Sequence, residues 1–294
     1  SVVKIDAETG RILSRIPIGA AGRDEGNLAF IDHPIVAGEG GVWLLRPSKL
    51  LHLDPVHEDI RSRIEVGVAT SQTVDVGFDA IWVLTDRTLY RVHPGTDQAR
   101  PLLRLPPAAG IATYALAIGE HIWVVDSDGT LVRMDPITGS QEQTETDLST
   151  GRIAATDAGL WVADILSGTM TFLDAETLRE TGDPVEISGS VDQVITFDQD
   201  LWVLDNLAGT VKRVNTLSRE EGRPTRVGQD PTDMSAGLGA VWVGDRDGSL
   251  YRLDTVTLDV QTFPIGAEVL GVAVDERAEA VWVYVGAPVT GAAP

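Results

Sequence analysis

Apolar residues recur along the chain in short runs set between polar turns, and seven of these runs carry a tryptophan. The Trp residues stand at 43, 82, 123, 161, 202, 242 and 282, so successive intervals are 39, 41, 38, 41, 40 and 40. Their surroundings read GGVWLL, DAIWVL, EHIWVV, AGLWVA, QDLWVL, GAVWVG and EAVWVY. Every Trp follows Val, Ile or Leu and precedes Val or Leu, which is the composition of a short buried strand entered from a turn. A small-residue run before this strand B, such as YALAIG (114–119) or RIAAT (152–156), predicts a strand A. A turn and a phrase such as TLVRMDPITG (130–139) or SLYRLDTVTL (249–258) predict strand C and its exit. A fourth run, such as DPVEIS (183–188) or VQTFPIG (260–266), supplies strand D. Four short strands in about 40 residues, with no long segment of helical period, are the pattern of a β-propeller blade.

The two ends of the chain fix the number of blades. Residues 2–19, VVKIDAETGRILSRIPIG, match strands C and D with no A or B before them, and residues 271–285, GVAVDERAEAVWVYV, match A and B only. Joined, they complete one blade. The expected fold is therefore all-β: a seven-bladed β-propeller of four-stranded antiparallel blades, closed by N-terminal strands C and D pairing with C-terminal strands A and B. Closure removes exposed strand edges. One domain is expected over residues 1–285, and the small, Pro-containing stretch 286–294 reads as a flexible tail. A chain that begins inside a blade phrase also reads as one domain of a longer protein.

The phrase IWVVDSDGTLVRMDPITG, from Ile122 to Gly139, resembles the repeats of bacterial YVTN/NHL-type propellers, and the resemblance extends over essentially the whole chain. The motif speaks for architecture rather than activity. It implies a sensor or accessory propeller of the kind attached to actinobacterial transcriptional regulators and Ser/Thr kinases. The repeats are also similar to the streptogramin-lyase propellers, which implies chemistry that uses histidine, glutamates and a divalent metal. This chain departs from that pattern, with Asp rather than Glu after its W-V-x phrases and His33 as the one histidine expected at the channel mouth. His52 and His93 occupy repeat columns, while His57 and His121 fall in turns that face away from it.

Several polar columns repeat with the blades. Asp126, Asp164, Asp205 and Asp245 each follow their Trp by three residues. They are expected to cap the hairpin from strand B to strand C; the alternative is a carboxylate ring that holds a divalent cation. Asp6, Asp54, Asp135, Asp174 and Asp254, with His93 and Asn215 at the matching places, read as turn residues. Two positions earlier lies a basic column of Lys4, His52, Arg91, Arg133, Arg213 and Arg252, broken by Phe172, which is expected to pair across strands with neighbouring acids. The Trp residues themselves read as core between adjacent blades.

Asymmetry lies in the connections from strand D to the next strand A, on the face where ligands enter the channel. The connection GAAGRDEGNLAFIDH (19–33) is much the longest, and long loops on a rigid scaffold commonly carry function. In it Arg23, Asp24, Glu25, Asn27, Asp32 and His33 offer donors and acceptors, with Phe30 as an apolar anchor. Gln72, Tyr114, Arg152, Asp192, Gln193, Asp233 and Glu268 are expected around the same mouth. Asp192, Asp233 and Glu268, joined by Asp32 or His33, are the candidate metal ligands.

Composition narrows the function classes. The 23 Lys+Arg against 44 Asp+Glu give a formal net charge of −21, which makes nucleic acid a poor partner. No apolar run approaches the roughly 18 residues needed to insert into a bilayer. With no Cys, disulfides, thiolate metal sites and a cysteine nucleophile are excluded. No GxSxG, Walker or dinucleotide motif appears. The expectation is a non-catalytic sensor or interaction module, without a required cofactor, that binds a small molecule, peptide or partner protein at the mouth. The alternatives are a metal-dependent lyase or hydrolase that uses a divalent cation, and a purely structural scaffold.

Overall fold

In the computed structural model, which describes residues 1–19, 30–67, 71–85, 87–106, 114–126, 129–146, 152–164 and 167–289, each Trp sits in the second strand of a separate antiparallel sheet. Blade 1 is the one built from both chain ends. Ala267–Asp275 and Ala280–Pro288 supply its strands A and B, and Val2–Asp6 and Ile12–Ile16 supply C and D. Its closing register runs without a break from Val2↔Tyr284 to Asp6↔Ala280. Blades 2 to 7 follow in chain order. Their inner strands A are Ile35–Gly38, Ser71–Gly77, Tyr114–Ile118, Arg152–Thr156, Gln193–Phe197 and Pro231–Gly237. The described residues contain no helix, and the seven-bladed ring with its split closing blade is as the repeat count requires.

One boundary differs from expectation. Strand B of blade 1 continues through Pro288, which pairs with Ala267, so residues 286–288 belong to the sheet rather than to a tail from 286. Blade 1 has an unusually long strand A, and its outer end, bulged between Ala267 and Gly271, supplies the partner that a patternless sequence did not announce. Residues 290–294 lie outside the described residues.

The core is divided among the gaps between blades. Trp82 packs with Ile122 and Val124 of the next blade, Trp123 with Ile153, Leu160 and Val162, and Trp242 with Val272, Val281 and Val283. All seven indoles are at most 2% exposed. Strict alternation along strand B makes this possible, because the residues on either side of Trp point to the preceding blade.

The basic column proves to have a second partner besides the acids. Cross-strand register sets Lys4, His52, Arg91, Arg133, Phe172, Arg213 and Arg252 each directly opposite the Trp of its own blade. Lys4 Nζ lies 5.4 Å from the Trp282 ring, and the guanidinium carbons of Arg91, Arg213 and Arg252 lie 5.6, 5.9 and 5.8 Å from Trp82, Trp202 and Trp242. His52 stacks on Trp43 at 3.8 Å. The expected acid pairing also occurs, with Arg133 on Glu142 and Arg213 on Asp200, both at 2.5 Å. Such cations close the outward face of an indole while their own heads reach water or a carboxylate.

The acidic columns are consumed by turns. Asp126 accepts the Thr130 amide, Asp205 the Ala208 amide, and Asp245 the amides of Asp247 and Gln229. In the strand C exits, Asp54, Asp135, Asp174 and Asp254 accept backbone N–H groups two and three residues on, and these bonds hold their carboxyls below the usual range. Asp54, to which the His57 amide and then its imidazole donate, is brought down to about 2.

Two substitutions separate the contributions of the indole and its cation. Trp161→Ala should cost about 3–5 kcal/mol through cavity formation, and Arg91→Ala about 1 kcal/mol or less. Urea denaturation of each variant reads both values, and a Trp161→Ala protein as stable as the parent would contradict the packing described.

Candidate functional site

The inner edge of a propeller blade leaves backbone groups of strand A facing the channel, and in blade 3 a further segment of the chain takes them up. Phe30–Asp32 lies parallel to the blade 3 inner strand, in the register Phe30↔Ser71, Ile31↔Gln72 and Asp32↔Thr73. The end of the connection expected as a surface loop is thus a fifth strand inside the ring. An extended segment satisfies an open strand edge better than solvent-exposed coil does. His33 then adopts φ +53°, reversing the chain so that Pro34 accepts the Leu45 amide at 2.7 Å and blade 2 begins. A positive φ is uncommon outside glycine but tolerated by His.

From this reversal the imidazole crosses to the far side of the channel. His33 Nδ1 lies 2.9 Å from Asp233 Oδ1 of blade 7. Gln193 of blade 6 donates from Nε2 to the same oxygen at 2.9 Å and to the Met234 carbonyl at 3.1 Å, while its Oε1 accepts the Met234 amide at 2.7 Å. The other Asp233 oxygen accepts the Val272 amide of blade 1 at 2.8 Å. Asp233 is 2% exposed, and a carboxylate so buried is stable because these donors replace its hydration. An ionised carboxylate only accepts, so the His33 proton belongs on Nδ1. The network ties blades 6, 7 and 1 together at the inner edge and fastens the fifth strand to them.

Asp75 stands on the opposite wall, where blade 3 places it across from Trp82. The same position holds Ala273, Val36, Ala117, Ala154, Ile195 and Ser235 in the other blades. Burial within the ring pushes its carboxyl up to about 6, against the opposing pull of His33 and of the Val76 and Ile118 amides. A cavity of about 250 Å³ separates the two walls, with His33, Asp75, Arg152 and Gln193 around it and the small alanines of blades 4 and 5 leaving the space.

Of the residues expected at the mouth, His33, Arg152 and Gln193 line this cavity, and Asp233 lies directly behind His33. Others are engaged elsewhere. Gln72 is buried and donates to the Pro47 carbonyl at 2.7 Å, joining blade 3 to blade 2. Asp192 accepts from the Asn206 amide and the Ser190 hydroxyl, capping a local turn. Glu268 lies against Gly286 in blade 1. Arg23, Asp24, Glu25 and Asn27 lie outside the described residues; Phe30 and Asp32 are placed by their backbone in the fifth strand, and Tyr114 by its backbone at the start of the blade 4 inner strand. Asp75 escaped the sequence reading. Its signal was present as the one charged residue in an otherwise apolar or small column of strand A.

The expected metal set does not assemble among the described residues, where no three His, Asp or Glu side chains converge as ligands. Asp192 is engaged by the Asn206 amide and the Ser190 hydroxyl, and both oxygens of Asp233 already accept hydrogen bonds.

The chain matches no protein-family model and no curated protein sequence. Solved structures share its fold. A streptogramin B lyase superposes with a TM-score of 0.70 at 16% identity, covering 88% of this chain and 93% of that one. A selenomethionine-substituted virginiamycin B lyase from Staphylococcus aureus gives 0.69 at 15% identity, covering 86% and 94%. BamB from Moraxella catarrhalis gives 0.55 at 14% identity, covering 87% and 85%. At these identities the likeness is one of fold.

The raised carboxyl of Asp75 makes a signed prediction about pH. Its affinity for a proton stabilises the native state below the unfolded carboxyl value of about 4, and that contribution is lost as pH rises through about 6. Asp75→Asn, always neutral, should therefore gain about 2 kcal/mol relative to the parent between about pH 4 and about pH 7.5. Urea denaturation at the two pH values measures the difference, and a gap that stays constant would refute the assignment.

Proposed function

We propose that the channel cavity is a recognition site for a small polar molecule bearing a cationic group, and that the protein is a non-catalytic binding module serving a partner through the mouth face. The observation that carries this reading is Asp75, the one charged side chain in its column of the ring. A half-buried carboxylate that has lost part of its hydration gains from a cation placed beside it, because the ligand restores charge compensation. The network of His33, Gln193 and Asp233 supports the reading as a rigid opposite wall. Its members already bond to one another and to the backbone, so they are pre-organised. The volume of about 250 Å³ suits a metabolite-sized group rather than the drug-sized ligands that fill roughly 300–1,000 Å³.

A second reading is proton-transfer catalysis. It is favoured by the presence of His33, backed by Asp233, on the same cavity as a carboxyl that titrates near 6. Streptogramin B is the substrate to try, since a streptogramin B lyase has this fold.

Calorimetric titration with ethanolammonium and with guanidinium tests the first reading. Saturable binding that disappears in Asp75→Asn supports it, while equal binding in the variant, or none in the parent, defeats it. Incubation with streptogramin B tests the second. Turnover that is lost in His33→Ala would replace the binding module with an enzyme.

A further inference from the structure

Blade 5 is the one blade whose strand C residue opposite Trp is neither Lys, Arg nor His. Phe172 occupies the basic column, with its ring centroid 5.2 Å from that of Trp161 and tilted by 47°. The missing cation is supplied by the next blade instead. Arg219, from the strand C exit of blade 6, lies 5.4 Å over the Trp161 ring and donates to the carbonyls of Thr181, at 2.8 Å, and Asp183. This exchange opens a groove of about 700 Å³ between blades 5 and 6, on the face opposite the channel mouth.

The groove has a two-part chemistry. Phe172 and Phe197 are half-buried along it, and Asp157 and Asp198 stand exposed at its rim. Neither aspartate has an ion-pair or hydrogen-bond partner among the described residues, whereas the positive charge of Arg219 is engaged by the indole and two carbonyls. The rim is rigid. Asp198 and Gln199 form a two-residue turn at φ +50° and +68°, and Thr216 Oγ1 donates to the Gln199 carbonyl at 2.5 Å. Leu217, 85% exposed, extends the apolar surface past the end of the groove. Aromatic walls below free carboxylates select a cation with an apolar stem, which describes lysine and arginine side chains. An open trough suits an extended chain, and the net charge of −21 steers basic partners toward the surface.

We infer that the groove between blades 5 and 6 docks an extended basic segment of a partner protein, with Lys or Arg stems on Phe172 and Phe197 and their heads at Asp157 and Asp198. The groove borders the channel cavity through Ile118, Ala155 and Thr196, which line both, but it uses none of His33, Asp75, Arg152 or Gln193.

The test is an amide NMR titration with the blocked peptide Ac-Arg-Leu-Arg-amide, beside Ac-Glu-Leu-Glu-amide and free guanidinium. The basic peptide should shift the amide signals around Asp157, Asp198 and Leu217, and the acidic peptide should not. The double variant Asp157→Asn, Asp198→Asn should weaken binding about tenfold, the sum of two exposed ion pairs. Asn suits the positive φ at 198, so this variant should keep the parent fold. Phe172→Ala, with its spectrum checked for an intact fold, should also weaken binding, and Asp75→Asn should leave it unchanged. The inference is overturned if the parent shows no shifts at these amides, if the double variant binds equally well, or if guanidinium alone matches the peptide, which would make the groove a small-cation site.

Discussion

Everything in this ring depends on one indole per blade being buried against the next blade and covered on its outer side by the strand C residue opposite it. The Trp of strand B faces the next blade, where it meets the aliphatic residues of that blade's inner strands. Its edge nearer the outside is closed by the strand C residue directly across the register, a Lys, Arg or His in six blades. Where strand A ends in glycine, as at Gly38, Gly77 and Gly237, the indole N–H also reaches the glycine carbonyl, at 3.0 to 3.3 Å. The blades are thus fixed to one another mainly by side-chain burial, while hydrogen-bonded strands hold each blade together internally. Ring closure needs the pairing of Val2–Asp6 with Ala280–Pro288, since every blade must find a neighbour on both sides.

Against such a regular background, departures locate chemistry. Three of them are independent. A fifth strand enters the channel, one charged residue appears in the inner column at Asp75, and one aromatic residue replaces the strand C cation at Phe172. The first two both belong to the blade 3 wall of a single cavity, from which the imidazole of His33 reaches Asp233 on the other side, between two carboxylates that the environment treats differently. Asp233 is compensated by three donors and remains a fixed acceptor, whereas burial dominates at Asp75 and leaves its charge available to a ligand. The inner edge of the ring therefore serves two purposes, since Gln193 and Asp233 bridge blades with the same atoms that orient His33.

The sequence carried the architecture openly because a repeat of about 40 residues with a Trp in each copy leaves few alternatives, and because the half-blades at the two ends complete one another. His33 was visible as a histidine at the end of the longest connection. Its partners were less so. Alignment of repeats placed Asp192, Gln193, Asp233 and Glu268 near one mouth, but one position along a strand turns a side chain to the other blade, and local donors captured Asp192. The strand at Phe30–Asp32 has no repeat counterpart, and parallel pairing with a residue some 40 positions away leaves no local signature. Asp75 was hidden for a different reason. Its setting is an apolar strand whose polarity becomes meaningful only once all seven inner strands are superposed.

Burial, opposed by the nearby imidazole, sets the ionisation of Asp75 inside the channel. Carbon-detected NMR titration of the Asp75 carboxyl measures this directly, in the parent and in His33→Ala. The account predicts a midpoint near 6 in the parent and a higher one in the variant, because the imidazolium charge that favours the ionised form is gone. A midpoint near the ordinary aspartate value of about 4 in both proteins would contradict it.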